Sequence, residues 1–270
     1  MNYRSRRSIR SYLLVFVVMA CRGLPLYAEG SVWNHAYQEN WDADGIQDIL
    51  ENARNDYVLL DAFDDLQARS AIPALKAAGN TLAIYISVGT GEDWREDFDA
   101  LRPSLVERPW GAWPGEYFID HVDDTVMDVM KARIDAAAAW GADFIEFDNM
   151  DWASDSRARR RYKFHVTEEE SLRYVNALRD YAEERGVLCM AKNMREGVED
   201  FAGVTYESWS DEADWWDSAD LMKFLAEGKL CIIFHYGEKN PAEATALYRE
   251  RYGENLRVLV ESRGMRGYVH

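Results

Sequence analysis

Eight short apolar runs, separated along the chain by longer helical patterns, constrain this sequence more than any other feature. They cover residues 32–38, 57–61, 82–88, 144–147, 187–191, 204–207, 230–236 and 256–260. Continuous apolar runs of this length are expected of strands buried on both faces, as in parallel sheets covered by helices. The segments between them carry helical marks. Val126, Met130 and Ile134 recur every fourth residue, with Gly141 as a stop. Thr167 followed by Glu170 forms a capping box ahead of Leu172, Val175 and Leu178, and Gly186 closes that segment. No internal repeat, low-complexity tract or long linker divides the chain. A single α/β domain over residues 29–270, a (β/α)8 TIM barrel, is the expected fold, and a doubly wound open sheet fits the same periodicity.

The first 28 residues read as an export signal. Residues 1–10 hold four arginines and no acid, and residues 12–20 form an apolar run too short to span a bilayer. Cleavage after Ala28 would release a soluble secreted or periplasmic protein. Val18-Met19-Ala20-Cys21 resembles a loose lipobox that would make Cys21 a lipid anchor instead. Arg6-Arg7 hints at twin-arginine export, and an uncleaved anchor fits the same residues. The remaining chain has about 240 residues, the usual size of one barrel, and is expected to be monomeric.

Charge narrows the partners. Asp and Glu number 48 against 31 Lys and Arg, a formal net charge of −17, which argues against nucleic acid as a ligand. A cationic or neutral ligand suits the field better. Cys189 and Cys231 lie inside apolar runs and read as buried free thiols. Neither a His/Cys cluster at metal-ligand spacing nor a glycine-rich phosphate loop is present in the sequence, so no cofactor is expected.

In a barrel of this kind the reactive side chains stand where each strand ends and its loop begins. Those places are rich in carboxylates and tryptophans. The second run ends at Asp61, with Asp64 and Asp65 beyond; the third leads into Glu92-Asp93-Trp94-Arg95-Glu96-Asp97; the fourth ends Glu146-Phe147-Asp148-Asn149-Met150-Asp151-Trp152. The fifth ends at Lys192-Asn193, the sixth at Glu207-Ser208-Trp209 and the seventh at His235-Tyr236. Glycosidic cleavage uses two carboxyl groups, and indole faces stack on sugar rings. Any one of these acids could equally be a helix cap and any one tryptophan plain packing. Their recurrence at successive strand ends is what points to a polysaccharide site. Trp94, Trp152, Trp209, His235 and Tyr236 are the candidate substrate-binding residues on this reading. His235 is expected to position substrate, the alternative being a histidine hydrogen-bonded in place without touching it. The basic run 157–163 reads as a solvated charged face.

Four blocks in order, Glu92 to Asp97, Trp113 to Asp120, Glu146 to Asp151 and Ala191-Lys192-Asn193, resemble glycoside hydrolase family 114, the endo-α-1,4-polygalactosaminidases and their relatives. The resemblance extends from about Trp33 to about Val260. It implies a (β/α)8 barrel that hydrolyses α-1,4-linked galactosamine chains, with Asp148 and Glu207 matching the catalytic pair. It places Asp61, Arg95, Asp151, Lys192 and Asn193 along the pocket. The sequence departs from the family's usual pattern in two places: His235-Tyr236 replaces a Glu-Tyr pair, and Ser208-Trp209 follows the sixth-strand glutamate. Asp148 is expected as the ionised carboxylate, given Asn149, Asp151 and Lys192 nearby, and Glu207 as the proton donor, given the apolar strand before it and Trp209 after it. A non-catalytic glycan-binding barrel, or a hydrolase of another partly deacetylated hexosamine polymer, are the competing readings.

Overall fold

The computed structural model describes residues 31–37, 43–209, 216, 219–236, 241–253 and 256–261. The leader 1–28, including Cys21, lies outside the described residues. Eight strands pair in parallel around a nearly closed barrel. They are β1 (Val32–Asn34), β2 (Tyr57–Leu60), β3 (Thr81–Ser87), β6 (Phe144–Asp148), β7 (Leu188–Lys192), β8 (Gly203–Trp209), β9 (Leu230–Tyr236) and β10 (Leu256–Glu261). The principal helices between them are α1 (Ala43–Asn52), α2 (Leu66–Ala77), α4 (Asp124–Trp140), α6 (Glu168–Glu183), α7 (Ala219–Ala226) and α8 (Pro241–Tyr252). This is the (β/α)8 barrel, and the open-sheet alternative falls. Among the described residues no helix is long and apolar enough to cross a membrane.

The helix ends follow the sequence. Thr167 and Glu170 form both halves of the capping box that opens α6. Gly141 adopts φ 91° just past α4, the left-handed stop that glycine supplies without strain. One element was not anticipated. Between β3 and α4 the chain folds a small antiparallel pair, β4 (Thr90–Glu92) with β5 (Glu116–Phe118), and the short α3 (Phe98–Leu101) lies in the loop that joins them. Another short helix, α5 (Ser156–Tyr162), carries the basic run, most of it exposed to water.

Two apolar layers surround the strands, and alternation assigns each side chain to one of them. Tyr57, Leu59, Ala83, Tyr85, Phe144, Met190, Ile232, Phe234 and Tyr236 pack together along the barrel axis. Val58, Leu60, Ile84, Ile86, Ile145, Phe147, Cys189, Ala191, Cys231 and Ile233 pack outward against the helices. Both cysteines are buried free thiols, and burial pushes their pKa values well up. Stepping by two from the axial residues brings Asp61, Glu146, Asp148, Lys192 and Glu207 onto the inner face at the C-terminal end. The same parity puts His235 on the outer face.

The loop after β3 leaves no room for an added carbon. A Cβ at Gly89 would stand 1.9 Å from the Asn149 carbonyl oxygen and 2.9 Å from the Trp152 ring. Backbone on one side and a buried indole on the other cannot both yield. Gly89→Ala is expected to destabilise the fold by about 1–3 kcal/mol, in the range of overpacked sites, read as a lowered thermal midpoint.

Candidate active site

At the C-terminal mouth lies a cavity of about 630 Å³ walled by Tyr37, Asp61, Asp64, Tyr85, Glu92, Trp94, Trp110, Trp113, Glu116, Asp148, Asn149, Asp151, Lys192, Asn193 and Glu207. Its floor is built on one cation. The Lys192 ammonium, 6 % exposed, lies 3.1 Å from Asp148 Oδ1 and 3.4 Å from Glu207 Oε2. It also sits 3.7 Å from the centre of the Tyr37 ring, at cation–π range. Burial alone would lower the Lys192 pKa. The charges of Asp148, Glu207 and Glu146 more than reverse that effect, so the ammonium stays protonated.

Each acid of the pair has further donors. Asp148 accepts from the Tyr85 hydroxyl at 2.9 Å and from the Asn149 backbone N–H at 2.8 Å. Glu207 accepts from the Asn193 side-chain amide at 3.0 Å and from the Tyr236 hydroxyl at 3.1 Å. Asn193 also takes the Glu207 backbone N–H on its own amide oxygen at 3.0 Å. Asn149 and Asn193 both occupy the left-handed region, at φ 55° and 56°, where asparagine is the side chain that fits most readily. They turn the chain sharply as it leaves β6 and β7. The apolar setting expected of Glu207 is therefore corrected: three donors surround it.

Beneath the pair, Glu146 is fully buried and accepts from the Tyr37 hydroxyl. Burial lifts its pKa to about 7, against the lowering effect of Lys192. Asp151, on the loop after β6, is lifted to about 7 by burial and then by the Asp148 charge.

Several expected residues converge here and others do not. Asp61, Trp94, Asp148, Asp151, Lys192, Asn193 and Glu207 line the cavity, and Tyr236 reaches it through its bond to Glu207. Arg95 is committed elsewhere. It binds Asp61 through two nitrogens at 2.6 and 2.7 Å and Glu92 at 2.8 Å, all three side chains being nearly inaccessible. These contacts make it a tie that holds the wall of the cavity. Trp152 is corrected outright: it is 2 % exposed, packs edge-on against Tyr174 and donates its indole N–H to the Ile119 carbonyl. His235 is corrected as well, because its ring points outward to the Tyr248 hydroxyl of α8 at 2.8 Å. The Trp209 side chain lies outside the described residues.

The structure adds Tyr37, Tyr85, Glu92, Trp110, Trp113, Glu116 and Glu146 to the site. Tyr85 and Glu146 were within reach of the alternation argument, since each shares parity with a residue at a strand end. Glu116 and the two tryptophans depend on the hairpin, whose strands of three residues each are too short to show a periodicity, although Trp113 and Glu116 fall in one of the blocks that carry the family resemblance. Trp94 is 42 % exposed and stands at the rim. Gly115, at φ 98°, makes room for it: a Cβ there would meet the Trp94 ring at 2.9 Å.

Acids whose pKa is raised by folding favour the folded state only while both states are protonated, and they cost stability once the unfolded chain can release a proton that the folded one still holds. Glu146 and Asp151, near 7, and Glu116, lifted to about 8 by burial and then by Glu92 and Asp148, all behave this way. Their contribution is complete below the unfolded carboxyl pKa near 4 and is lost as pH rises toward 7–8. Thermal midpoints measured from pH 5 to pH 8 are expected to fall, and Asp151→Asn to make that decline shallower.

Comparison with known proteins agrees with this architecture. A solved structure of Ega3 from Aspergillus fumigatus, in complex with galactosamine, superposes with a TM-score of 0.69 at 20% identity, covering 91% of this chain and 95% of that one. The glycoside hydrolase domain of PelA from Pseudomonas aeruginosa gives 0.61 at 17% identity, covering 87% and 94%. A GH20 exo-β-N-acetylglucosaminidase from Vibrio harveyi gives 0.53 at 11% identity, covering 80% of this chain and 43% of that one. No curated protein sequence matches. The profile of glycoside-hydrolase family GH114 matches residues 26–269, nearly the whole chain and the full barrel with its acidic mouth, and the chain belongs to that family.

Proposed function

We propose that this protein is an exported glycoside hydrolase that cleaves α-1,4-linked galactosamine-type polysaccharide within the chain, with Asp148 as nucleophile and Glu207 as proton donor. The observation that carries the reading is the sharing of one buried ammonium by two carboxylates in a tryptophan-walled pocket. The two contacts, laid end to end, limit the nearest oxygens of Asp148 and Glu207 to about 6.5 Å, the point at which inverting spacing begins, whereas retaining pairs stand about 5–5.5 Å apart. This bound leaves room for the retaining spacing, and retention through a glycosyl-enzyme ester is the mechanism we adopt.

In the first step an Asp148 oxygen bonds to the anomeric carbon as the glycosidic C–O bond breaks, and the Glu207 proton passes to the leaving oxygen. In the second, Glu207 takes a proton from water, whose oxygen displaces Asp148 from the sugar. Lys192 suits both. While Asp148 is ionised the ammonium balances it, and once Asp148 is an ester the same charge stabilises the carboxylate left on Glu207. Tyr85 and the Asn149 N–H fix the orientation of Asp148 for attack, and Asn193 and Tyr236 fix Glu207. The excess of acids favours a polymer of protonated amino sugars, which a negative field attracts, over a neutral glycan, which it does not. Export rests on the arginine-rich, then apolar, first 28 residues.

The test is reducing-end release from a panel of amino-sugar polymers, α-1,4-galactosamine and partly deacetylated hexosamine chains among them. Turnover of the galactosamine polymer is expected, with kcat reduced by roughly three orders of magnitude or more in Asp148→Asn and in Glu207→Gln while circular dichroism is unchanged. Near-normal activity in both variants would defeat the assignment of the site. A wild-type protein that binds the polymer and never cleaves it would favour a glycan-binding barrel.

A further inference from the structure

The turn that leaves β3 closes around the residue next to Asp148. Ser87 ends β3 in register with Asp148, and Thr90 begins β4 just beyond it; both side chains are fully buried. The Asn149 side-chain amide donates to Ser87 Oγ at 3.0 Å, and the Ser87 and Thr90 hydroxyls lie 2.5 Å apart. Thr90 in turn donates to Glu116 Oε2 at 3.1 Å. A hydroxyl has one proton to give, so these contacts allow one order: Asn149 gives to Ser87, Ser87 to Thr90, and Thr90 to the Glu116 carboxyl. Between the two hydroxyls Gly89 passes so close that a Cβ on it would stand 1.9 Å from the Asn149 carbonyl oxygen. One turn thus grips Asn149 at its side chain and at its carbonyl.

Asn149 needs such a grip. Its φ of 55° lies in the left-handed region, which a residue with a Cβ keeps only where its surroundings hold it there. That conformation brings its backbone N–H back to Asp148 Oδ1 at 2.8 Å. Lys192 meets the same oxygen at 3.1 Å, and the Tyr85 hydroxyl holds Oδ2 at 2.9 Å. The ammonium acts as a point charge and tolerates a turned carboxylate, whereas hydrogen bonds from an N–H and a phenol are directional. Tyr85 and Asn149 therefore set the plane of the Asp148 carboxylate. Both depend on β3: Tyr85 belongs to it, and its last residue holds Asn149. Ser87 and Thr90 do not line the cavity, so their hydroxyls serve the protein and not a sugar.

We propose that Ser87 is a positioning residue for the nucleophile: by holding the Asn149 amide it keeps the Asn149 N–H aimed at Asp148, while Thr90 takes the Ser87 proton and leaves its lone pairs to the amide. The inference rests on reading Asp148 as the nucleophile of a retaining hydrolase. Asp148 attacks when ionised and departs when esterified, and the alignment set by Tyr85 and Asn149 serves both steps. Without the Ser87 hydroxyl the Asn149 amide loses its partner in a buried place, and the left-handed turn loses one of its two holds. Asp148 keeps its charge and its lysine; what it loses is aim. The signature of such a loss is a lower kcat at unchanged KM.

The experiment measures kcat and KM of the wild type, S87A, N149G and the double variant, beside D148N and E207Q. The substrates are α-1,4-galactosamine polymer and a dinitrophenyl glycoside of a galactosamine oligomer, whose leaving group needs no proton. S87A is expected to lower kcat by about 10- to 10²-fold on both substrates with KM little changed. Glycine accepts the left-handed conformation but has no amide for Ser87 to hold, so N149G should match S87A in kcat and the double variant should lose no more than either. E207Q, in contrast, should recover much of its kcat on the dinitrophenyl substrate. T90V, which removes the acceptor of the Ser87 proton and keeps the side chain's shape, carries the same comparison if S87A does not fold. Normal kcat in S87A, a loss confined to KM, a loss that disappears on the dinitrophenyl substrate, or multiplied losses in the double variant overturn the inference; with D148N inactive, each leaves the proposed hydrolase standing. Absence of turnover on either substrate by the wild type overturns both.

Discussion

A buried ammonium on the barrel axis organises the rest of this site. Lys192 occupies a position where water is scarce and no charge would be tolerated alone, and the residues around it are those that such a charge demands. Asp148 and Glu207 approach it from the neighbouring strands β6 and β8, Tyr37 covers it with its ring, and Glu146 adds negative potential from below. The two asparagines in left-handed geometry follow from the same requirement. They let the chain leave β6 and β7 steeply enough to keep the strand-end side chains aimed inward.

The acid-rich wall is held by a second arrangement with a different purpose. Arg95 links Asp61 to Glu92, and Arg133 links Glu92 to Asp97 on the loop before α3. The pairs among Asp61, Glu92, Arg95 and Arg133 are nearly dry, where removing one partner leaves a costly unbalanced charge behind. They tie the β4–β5 hairpin to the end of β2 and to α4. Three of the pocket's tryptophans, Trp94, Trp110 and Trp113, belong to that hairpin and its loop. Rigid charge pairs therefore fix the position of the aromatic surfaces that line the pocket.

Much of the site was legible because strand ends and alternation are one-dimensional properties. Apolar runs locate the strands, and the residue that closes each run falls at the mouth of the barrel. The same parity, followed through, separates Asp61, Asp148, Lys192 and Glu207 from His235. Phe234 and Tyr236 face the axis, so the residue between them must face the helices. Trp152 misleads for a related reason. It adjoins the Asp148–Asp151 turn in sequence, yet a loop residue has no parity, and its indole is drawn into the core by apolar area and by the Ile119 carbonyl.

What the sequence by itself determined is the order of strands and helices, the capping of α6 and the stop after α4, and the two carboxylates at the ends of the fourth and sixth runs. These depend on local propensity, periodicity and the fact that apolar side chains must be buried. What only the tertiary structure decided is who neutralises whom. Arg95 is spent on Asp61 and Glu92, Lys192 is shared between Asp148 and Glu207, and Glu116 has no ion-pair partner among the described residues, the contacts joining residues as many as 44 positions apart. Charge balance depends on distance and burial in three dimensions, and neither is a function of spacing along the chain.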